Sequence, residues 1–291
     1  MNKRLGIIGG SGVYEISEVE IIESHSLDTP WGPPSAPVVE CEYKEQSFFF
    51  LPRHGIGHSI PPSKINYRAN IDAFKKLGVT DILSLSSVGS LNEDLTPGVF
   101  VVINQYVDFT KNRITTFFDD DIVVHVSMAT PTDERLMEIS RACLEKLDIK
   151  YNFGGSYICI EGPQFSTKKE SRLFQKWGCD VIGMTSMPEA KLCREASLRY
   201  VNIGMVTDFD CWHPDHENVE VSNVISTLKG NAEDAKKFIL EFLLDYSKST
   251  IKNKLNSYDS LVTAKNKIKK ETAYKFKNIM PDLHKDFTKN K

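Results

Sequence analysis

Val181-Ile-Gly-Met-Thr-Ser-Met-Pro-Glu-Ala190 and its sequel Val206-Thr-Asp-Phe-Asp-Cys-Trp212 decide how this chain is read. Each begins as a short apolar strand and ends in polar side chains. The first delivers a methionine, a hydroxyl and a carboxylate just past its strand, and the second delivers two carboxylates. One helical pattern and one apolar run separate them. Ligands of open α/β sheets gather at the carboxyl ends of strands, so the two stretches are suited to share one site.

The same grammar extends outward in both directions. Residues 4–8 read as a buried strand that runs into Gly9-Gly-Ser-Gly12, a turn whose backbone can approach an anion and whose Ser11 adds a hydroxyl. Its spacing is not GxGxxG, and taken alone it is equally a bare structural turn. Strands at 37–43 and 47–51 lead to Pro52-Arg-His-Gly-Ile-Gly-His58. A guanidinium directly after a strand matches an oxyanion, which makes Arg53 and His54 candidates for holding phosphate, against a solvated surface loop. The glycines and Pro61-Pro62 argue against an HxxxH metal pair there.

Residues 66–77 carry apolar side chains at three- and four-residue steps and stop at Gly78, the pattern of a helix. An apolar strand at 80–85 ends in Ser86-Ser-Val-Gly-Ser90, a second hydroxyl-rich turn by composition. Further strands are expected at 98–103, 122–126, 156–160, 180–182 and 200–206, with an irregular stretch over 108–121. Helices are expected at 132–147, 168–177, 189–197 (Pro188 at its start) and 221–246. Phe165, in Glu161-Gly-Pro-Gln-Phe-Ser-Thr167, is either a core plug or a platform for a flat ring.

Alternating strands and helices define an α/β fold, and the short strand-to-strand turns predict a mixed rather than purely parallel sheet. The expectation is a single domain over 1–247 with a central mixed β-sheet flanked by helices. Residues 248–291 hold 12 Lys against 4 Asp or Glu, which makes that segment +8 and leaves −11 for the rest of a chain of net charge −3. It reads as a basic C-terminal appendage, helical or partly disordered, and a solvated face outweighs a nucleic-acid role. No apolar run approaches the roughly 20 residues of a membrane span. The N-terminus lacks the pattern of a signal peptide. The six cysteines are scattered without a CxxC, which fits reduced thiols in a cytoplasmic protein.

The inventory is then an anion site (Ser11, Arg53, His54, Ser86, Ser87, Thr185), a carboxylate pair (Asp208, Asp210), and apolar walls (Phe165, Met184). The carboxylates alternatively bind a metal or cap a helix. An anion site beside a pocket for a polar heterocycle suits transfer of a group onto phosphate.

These residues also carry a resemblance. Gly9-Gly-Ser-Gly12, Pro52-Arg-His-Gly55, Pro62-Ser-Lys-Ile-Asn-Tyr67, Glu161-Gly-Pro-Gln-Phe-Ser166, Gly183-Met-Thr-Ser-Met-Pro-Glu-Ala190 and Thr207-Asp-Phe-Asp-Cys-Trp212 resemble the trimeric purine nucleoside phosphorylase family, nearest its 5′-methylthioadenosine-cleaving branch. The likeness runs in order from about residue 4 to 246. It implies that phosphate attacks C1′ of a nucleoside and the purine leaves, with inorganic phosphate as co-substrate, no cofactor and no metal. It implies that Ser11, Arg53, His54, Ser87 and Thr185 hold phosphate, with Ser86 beginning the same turn. Met184 is expected against the ribose, Phe165 against the base, and Asp208 at N7 or the exocyclic amine with Asp210 alongside.

The resemblance further implies adenine preference, because Asp208 stands where relatives acting on 6-oxopurines usually carry asparagine. Val224 stands where relatives binding a 5′-hydroxyl carry histidine, which favours a methylthio group, although Val224 equally fits the core stripe of its helix. His125, in Val124-His-Val-Ser-Met128, matches a residue that reaches the neighbouring subunit's pocket, which implies a homotrimer. Gln164 and Gly183 depart from the arginine and asparagine of many members. The competing readings are a phosphorylase for methylthioinosine or another purine nucleoside and, in a different class, a non-catalytic nucleotide-binding module.

Overall fold

The computed structural model describes residues 3–9, 16–120, 122–214, 221–251 and 255–288, with the side chains of 221–226, 228 and 229 outside that description. Ser11 and the side chain of Val224 therefore lie outside the described residues. The strands are β1 (Leu5–Gly9), β2 (Glu20–His25), β3 (Val38–Tyr43), β4 (Gln46–Pro52), β5 (Asp81–Ser90), β6 (Phe100–Ile103), β7 (Gln105–Phe109), β8 (Tyr151–Phe153), β9 (Ser156–Ile160), β10 (Val181–Gly183) and β11 (Arg199–Asp208). The helices are α1 (Tyr67–Lys76), α2 (Glu134–Lys146), α3 (Lys168–Lys176), α4 (Ser186–Glu195), α5 (Val221–Lys248), α6 (Lys270–Lys275) and α7 (Pro281–Thr288).

The strands form one mixed sheet in the order β2-β3-β4-β1-β5-β10-β9-β7, with β11 also on β5 and followed outward by β6 and β8. The expected mixed α/β sheet is what the chain builds. β5 is its centre: β1 and β11 flank it in parallel, and β10 meets its last residues antiparallel. The β3–β4 hairpin turns on Lys44 and Glu45, both at positive φ, between the paired Tyr43 and Gln46, as a two-residue turn that follows strand twist requires.

Apolar runs on the central strands are continuous because both faces are covered. Phe49 and Leu51 of β4 join the layer under α1 and α4, whereas Phe48 and Phe50 join the layer under α2 and α5. Local signals set the helices. Asn66 accepts from the Ala69 N–H to open α1, Asp133 accepts from Leu136 to open α2, and Thr167 with Glu170 makes a capping box on α3.

Three expectations are revised. Residues 86–90 are no turn: β5 runs through them, because β11 supplies a parallel partner as far as Gly89. Residues 122–126 contribute only an isolated bridge from Val124 to Leu261. β2, β7 and β8 were not anticipated. The described part of 248–291 packs on the domain. Phe276 of α6's end touches Trp31 and Phe118, Ile279, Met280 and Leu283 are buried in the α1–α4 layer, and Asn278 donates to Asp72 at 3.2 Å. Each fully buried side chain of this kind contributes about 1.5–3 kcal/mol. Among the described residues, no helix is long and apolar enough to cross a membrane.

Candidate active site

The functional residues collect where β1, β4, β9, β10 and β11 end. The Arg53 N–H donates to Gly9 O at 3.0 Å, which fastens the end of β4 to the end of β1. The guanidinium then turns inward and is buried. Its Nε donates to Glu189 Oε2 at 2.7 Å, its Nη2 to Glu189 Oε1 at 3.1 Å and to Ser84 Oγ at 2.6 Å, and its Nη1 to Leu85 O at 3.2 Å. Glu189, in the first turn of α4, also accepts from Ser84 at 2.7 Å and Tyr200 at 2.9 Å. Burial works against the Arg53 charge, but Glu189 outweighs it and holds the guanidinium protonated above its ordinary range. Among the described residues, these contacts leave one Nη1 N–H of Arg53 without an acceptor.

His54 follows. Its Nδ1 is 2.9 Å from Ile60 O, so Nδ1 carries the proton and Nε2 presents a lone pair. Burial first, then the Arg53 charge, lowers its pKa to about 4, which makes it neutral at pH 7. Its ring stacks on His58 at 4.0 Å. Thr185 is the N-cap of α4 and is buried; just inside, the Met187 N–H is 3.4 Å from Cys159 Sγ and Pro188 carries none, so this helix start offers the hydroxyl rather than a row of free N–H groups. Alternation along β5 directs Ser86 and Ser87 to opposite faces. Ser86 bonds Asn202, at 3.1 Å and 3.2 Å, and so belongs to the Arg53 side; Ser87 faces the side of Gly89.

The carboxylate pair stands at the end of β11. A register shift between Val206 and Asp208 re-aims the strand there. Asp208 accepts from Thr207 Oγ1 at 2.7 Å and from the Asp210 N–H at 2.8 Å. A Cβ on Gly89 would stand 2.9 Å from Asp208 Oδ1 and 3.1 Å from Ile182, so the bare backbone of β5 makes room for the pair. Asp210 is 4 % exposed and sits at φ +48°. Burial raises the Asp208 carboxyl, against the Thr207 hydroxyl and the Asp210 amide. Burial also pushes Asp210 up to about 6; the Ser171 hydroxyl opposes the rise and the Asp208 charge adds to it.

Cys211 Sγ lies 3.2 Å from Ser166 O, which ties the loop carrying the exposed Phe165 ring to the end of β11. Met184 packs on the same loop: a Cβ on Gly162, at φ +65°, would stand 2.5 Å from Met184 Sδ. Gly183 has its own reason. A Cβ there would lie 2.0 Å from Tyr157 Oη, so the tyrosine hydroxyl occupies the space an asparagine side chain would leave by.

The structure thus joins Arg53, Ser86 and Glu189 on one side of the β10–α4 junction and Phe165, Met184, Asp208 and Asp210 on the other. Thr185 is the junction. His125 is apart: it is exposed, and its backbone N–H donates to Ser260 O at 3.1 Å. Glu189, Tyr157, Asn202 and Arg113 were missed by sequence reasoning. Glu189 is the carboxylate of the opening motif, but sequence reasoning assigned it no role in the anion site.

A mixed α/β sheet with an anion pocket and a raised carboxylate pair at its strand ends defines a phosphorolytic class of site. The sequence profile of the phosphorylase superfamily matches residues 4–244, and the chain belongs to that superfamily. It is 51% identical over 235 residues to the S-methyl-5′-thioadenosine phosphorylase of Rhodospirillum rubrum, covering 81% of this chain and 80% of that protein. It is 49% identical over 242 residues to the enzyme of the same name from Bradyrhizobium diazoefficiens, covering 83% of each. The crystal structure of a methylthioadenosine phosphorylase sourced from an antarctic soil metagenomic library superposes with a TM-score of 0.90 at 40% identity, over 97% of this chain and 100% of that one. Methylthioadenosine phosphorylase from Schistosoma mansoni in complex with adenine superposes with a TM-score of 0.82 at 37% identity, over 86% of this chain and 93% of that one.

Proposed function

We propose that the chain catalyses phosphorolysis of 5′-methylthioadenosine to adenine and 5-methylthioribose 1-phosphate. The observation that carries this reading is the pair Asp208–Asp210, raised by burial, set beside Met184 and Phe165 on one side and the Arg53–Thr185 anion end on the other. The names of the relatives support the same substrate.

In the proposed reaction a phosphate oxygen bonds to C1′ as the C1′–N9 bond breaks, and the electron pair leaves with the purine. Positive charge grows on the sugar, where the phosphate anion stabilises it. Negative charge grows on the purine, and a proton delivered to N7 by Asp208, with Asp210 sharing it, relieves that charge. Ser11, Arg53, His54, Ser86, Ser87 and Thr185 hold phosphate. The neutral His54 accepts a proton-bearing phosphate oxygen at Nε2. Met184 lies on the ribose, Phe165 on the base, and Val224 beside the methylthio group. A carboxylate accepts from a 6-amino group, which is why adenine is preferred over a 6-oxopurine.

The reading calls for no cofactor, for a cytoplasmic enzyme, and for a homotrimer in which the exposed His125 reaches the neighbouring site. Purine release from methylthioadenosine, methylthioinosine, adenosine and inosine, each with and without phosphate, tests it. Adenine release that requires phosphate and is strongest from methylthioadenosine is expected. Preference for a 6-oxopurine overturns the assignment of Asp208, and sedimentation as a monomer overturns the shared site.

A further inference from the structure

Arg113 lies in the stretch between β7 and α2, where sequence periodicity is absent, yet its side chain is 2% exposed. Its Nη1 donates to Met184 O at 2.7 Å, Met187 O at 2.6 Å and Tyr67 Oη at 3.0 Å. Its Nη2 donates to Glu161 O at 2.7 Å and Ile160 O at 3.2 Å. Its Nε is 3.3 Å from Glu161 Oε1, and that carboxylate also accepts the backbone N–H groups of Lys111 and Asn112. The guanidinium further sits 5.6 Å from the Tyr67 ring centroid, and Tyr67 Oη donates to Pro62 O at 3.1 Å.

Four main-chain carbonyls from two site loops therefore converge on one planar group. Ile160 and Glu161 end β9 and begin the loop that carries Phe165. Met184 and Met187 flank Thr185 at the start of α4. Glu161 O lies past the end of β9, Met184 O past the end of β10 and Met187 O in the non-helical first turn of α4, and a buried carbonyl without a donor is costly. Only arginine offers five N–H groups in a plane to meet them; lysine has three donors on one compact centre.

We propose that Arg113 is the positioning residue that fixes the nucleoside half of the site, setting the Phe165 loop and Met184 at a fixed distance from each other. The inference rests on the phosphorolytic reading above. Arg113 bonds no residue of the Arg53–Glu189 network, so of the phosphate side only Thr185, between Met184 and Met187, shares its support. Without the guanidinium, the Met184 Sδ contact with Gly162 and the Cys159 thiol, 3.4 Å from the Met187 N–H, are weaker ties between the two segments. A misplacement of about 1 Å costs roughly 10²-fold in a positioned reaction.

The test compares wild type, Arg113→Lys and Arg113→Ala in phosphorolysis of methylthioadenosine, varying nucleoside and phosphate separately. For the folded Lys variant, kcat/KM for the nucleoside is expected to fall about 10²-fold, while KM for phosphate stays within about twofold. Millimolar guanidinium is expected to restore part of the Ala variant's activity. Amide hydrogen exchange, which needs no activity, is expected to quicken in residues 160–165 and 183–188 of the Lys variant while the β1–β4 amides keep their protection. A parallel loss for both substrates with uniform exchange overturns the proposal, as does an unchanged nucleoside kcat/KM. An inert wild type sinks the phosphorolytic reading instead, and the exchange pattern then decides on Arg113 alone.

Discussion

The Arg53–Glu189 pair is buried to 3% and 2% side-chain exposure, so breaking it from one side leaves a charge with no solvent to answer it. Glu189→Gln is the cleanest perturbation because it keeps size and shape. Both carboxylate oxygens are acceptors: Oε1 takes Arg53 Nη2, Ser84 and Tyr200, and Oε2 takes Arg53 Nε. An amide placed either way therefore turns one N–H₂ against at least one donor. Removing one partner of such a pair costs about 3–5 kcal/mol. At about 2–4 °C per kcal/mol for a large domain, the midpoint of thermal unfolding falls by about 6–20 °C. Urea unfolding followed by circular dichroism, at fixed protein concentration, measures the loss for Glu189→Gln, for Arg53→Met and for the Arg53→Met/Glu189→Leu double variant. The double variant removes both charges and is expected to lose about 2 kcal/mol less than the two single losses added, within the range of coupling between contacting residues. Strict additivity would refute the reasoning, since it would mean that neither residue senses the other's charge.

Asp208→Asn keeps size and shape and, in the proposed reaction, removes both the proton donor and the acceptor for a 6-amino group. Purine release is expected to show kcat/KM for methylthioadenosine down about 10²–10⁴-fold, with the relative rate on methylthioinosine improved; an unchanged rate sinks the role of Asp208. Asp210 is raised to about 6 by burial, so it keeps its proton below that pH and loses it as pH rises through about 6. The kcat/KM profile is expected to inflect near pH 6 in wild type and to lose that inflection in Asp210→Asn. Glu195, at the end of α4, accepts from Thr116 Oγ1 at 2.6 Å and from the Phe117 N–H at 2.7 Å, and burial raises it from the ordinary 4.5 to about 7. The folded state favours the protonated form, so its contribution is fully present below 4.5 and is lost as pH rises through about 7. Wild type is expected to resist urea better at pH 5 than at pH 8, with Glu195→Gln removing about 2.5 kcal/mol of that difference; parallel pH dependences would count against it.

What the sequence made legible is what depends on near neighbours. Gly78 stopping α1, Thr167 capping α3 and Asp208 following an apolar run are all decided within a few residues. The misreadings share the opposite cause. Ser86 looks like a turn residue until Asn202, more than a hundred residues away, bonds its hydroxyl and lets β5 continue. Arg113 carries no periodic signal because its partners are carbonyls of strands that end elsewhere. β2 exposes most of its side chains and carries Glu20, Glu23 and His25, so neither alternation nor burial marks it; its partner β3 does. The basic composition of 248–291 reflects the lysines on its outer face and hides Phe276 and Ile279, whose burial depends on α1 and on Trp31.

The charge arrangement explains why the two halves of the site need each other. Glu189 cancels the nearest guanidinium, and His54 is neutral, so the anion end offers N–H groups and hydroxyls rather than a large net positive charge. An arriving phosphate dianion therefore brings negative charge that this end does not fully neutralise. The Asp208–Asp210 pair, already raised by burial, feels that charge with the same sign, and a like charge favours the protonated carboxyl. In the proposed reaction, binding phosphate thus loads the proton that the departing purine needs. It follows that the inflection assigned to Asp210 lies higher at saturating phosphate than at trace phosphate. Free-standing acid and anion sites would titrate independently, so an inflection that stays put as phosphate is raised refutes the coupling.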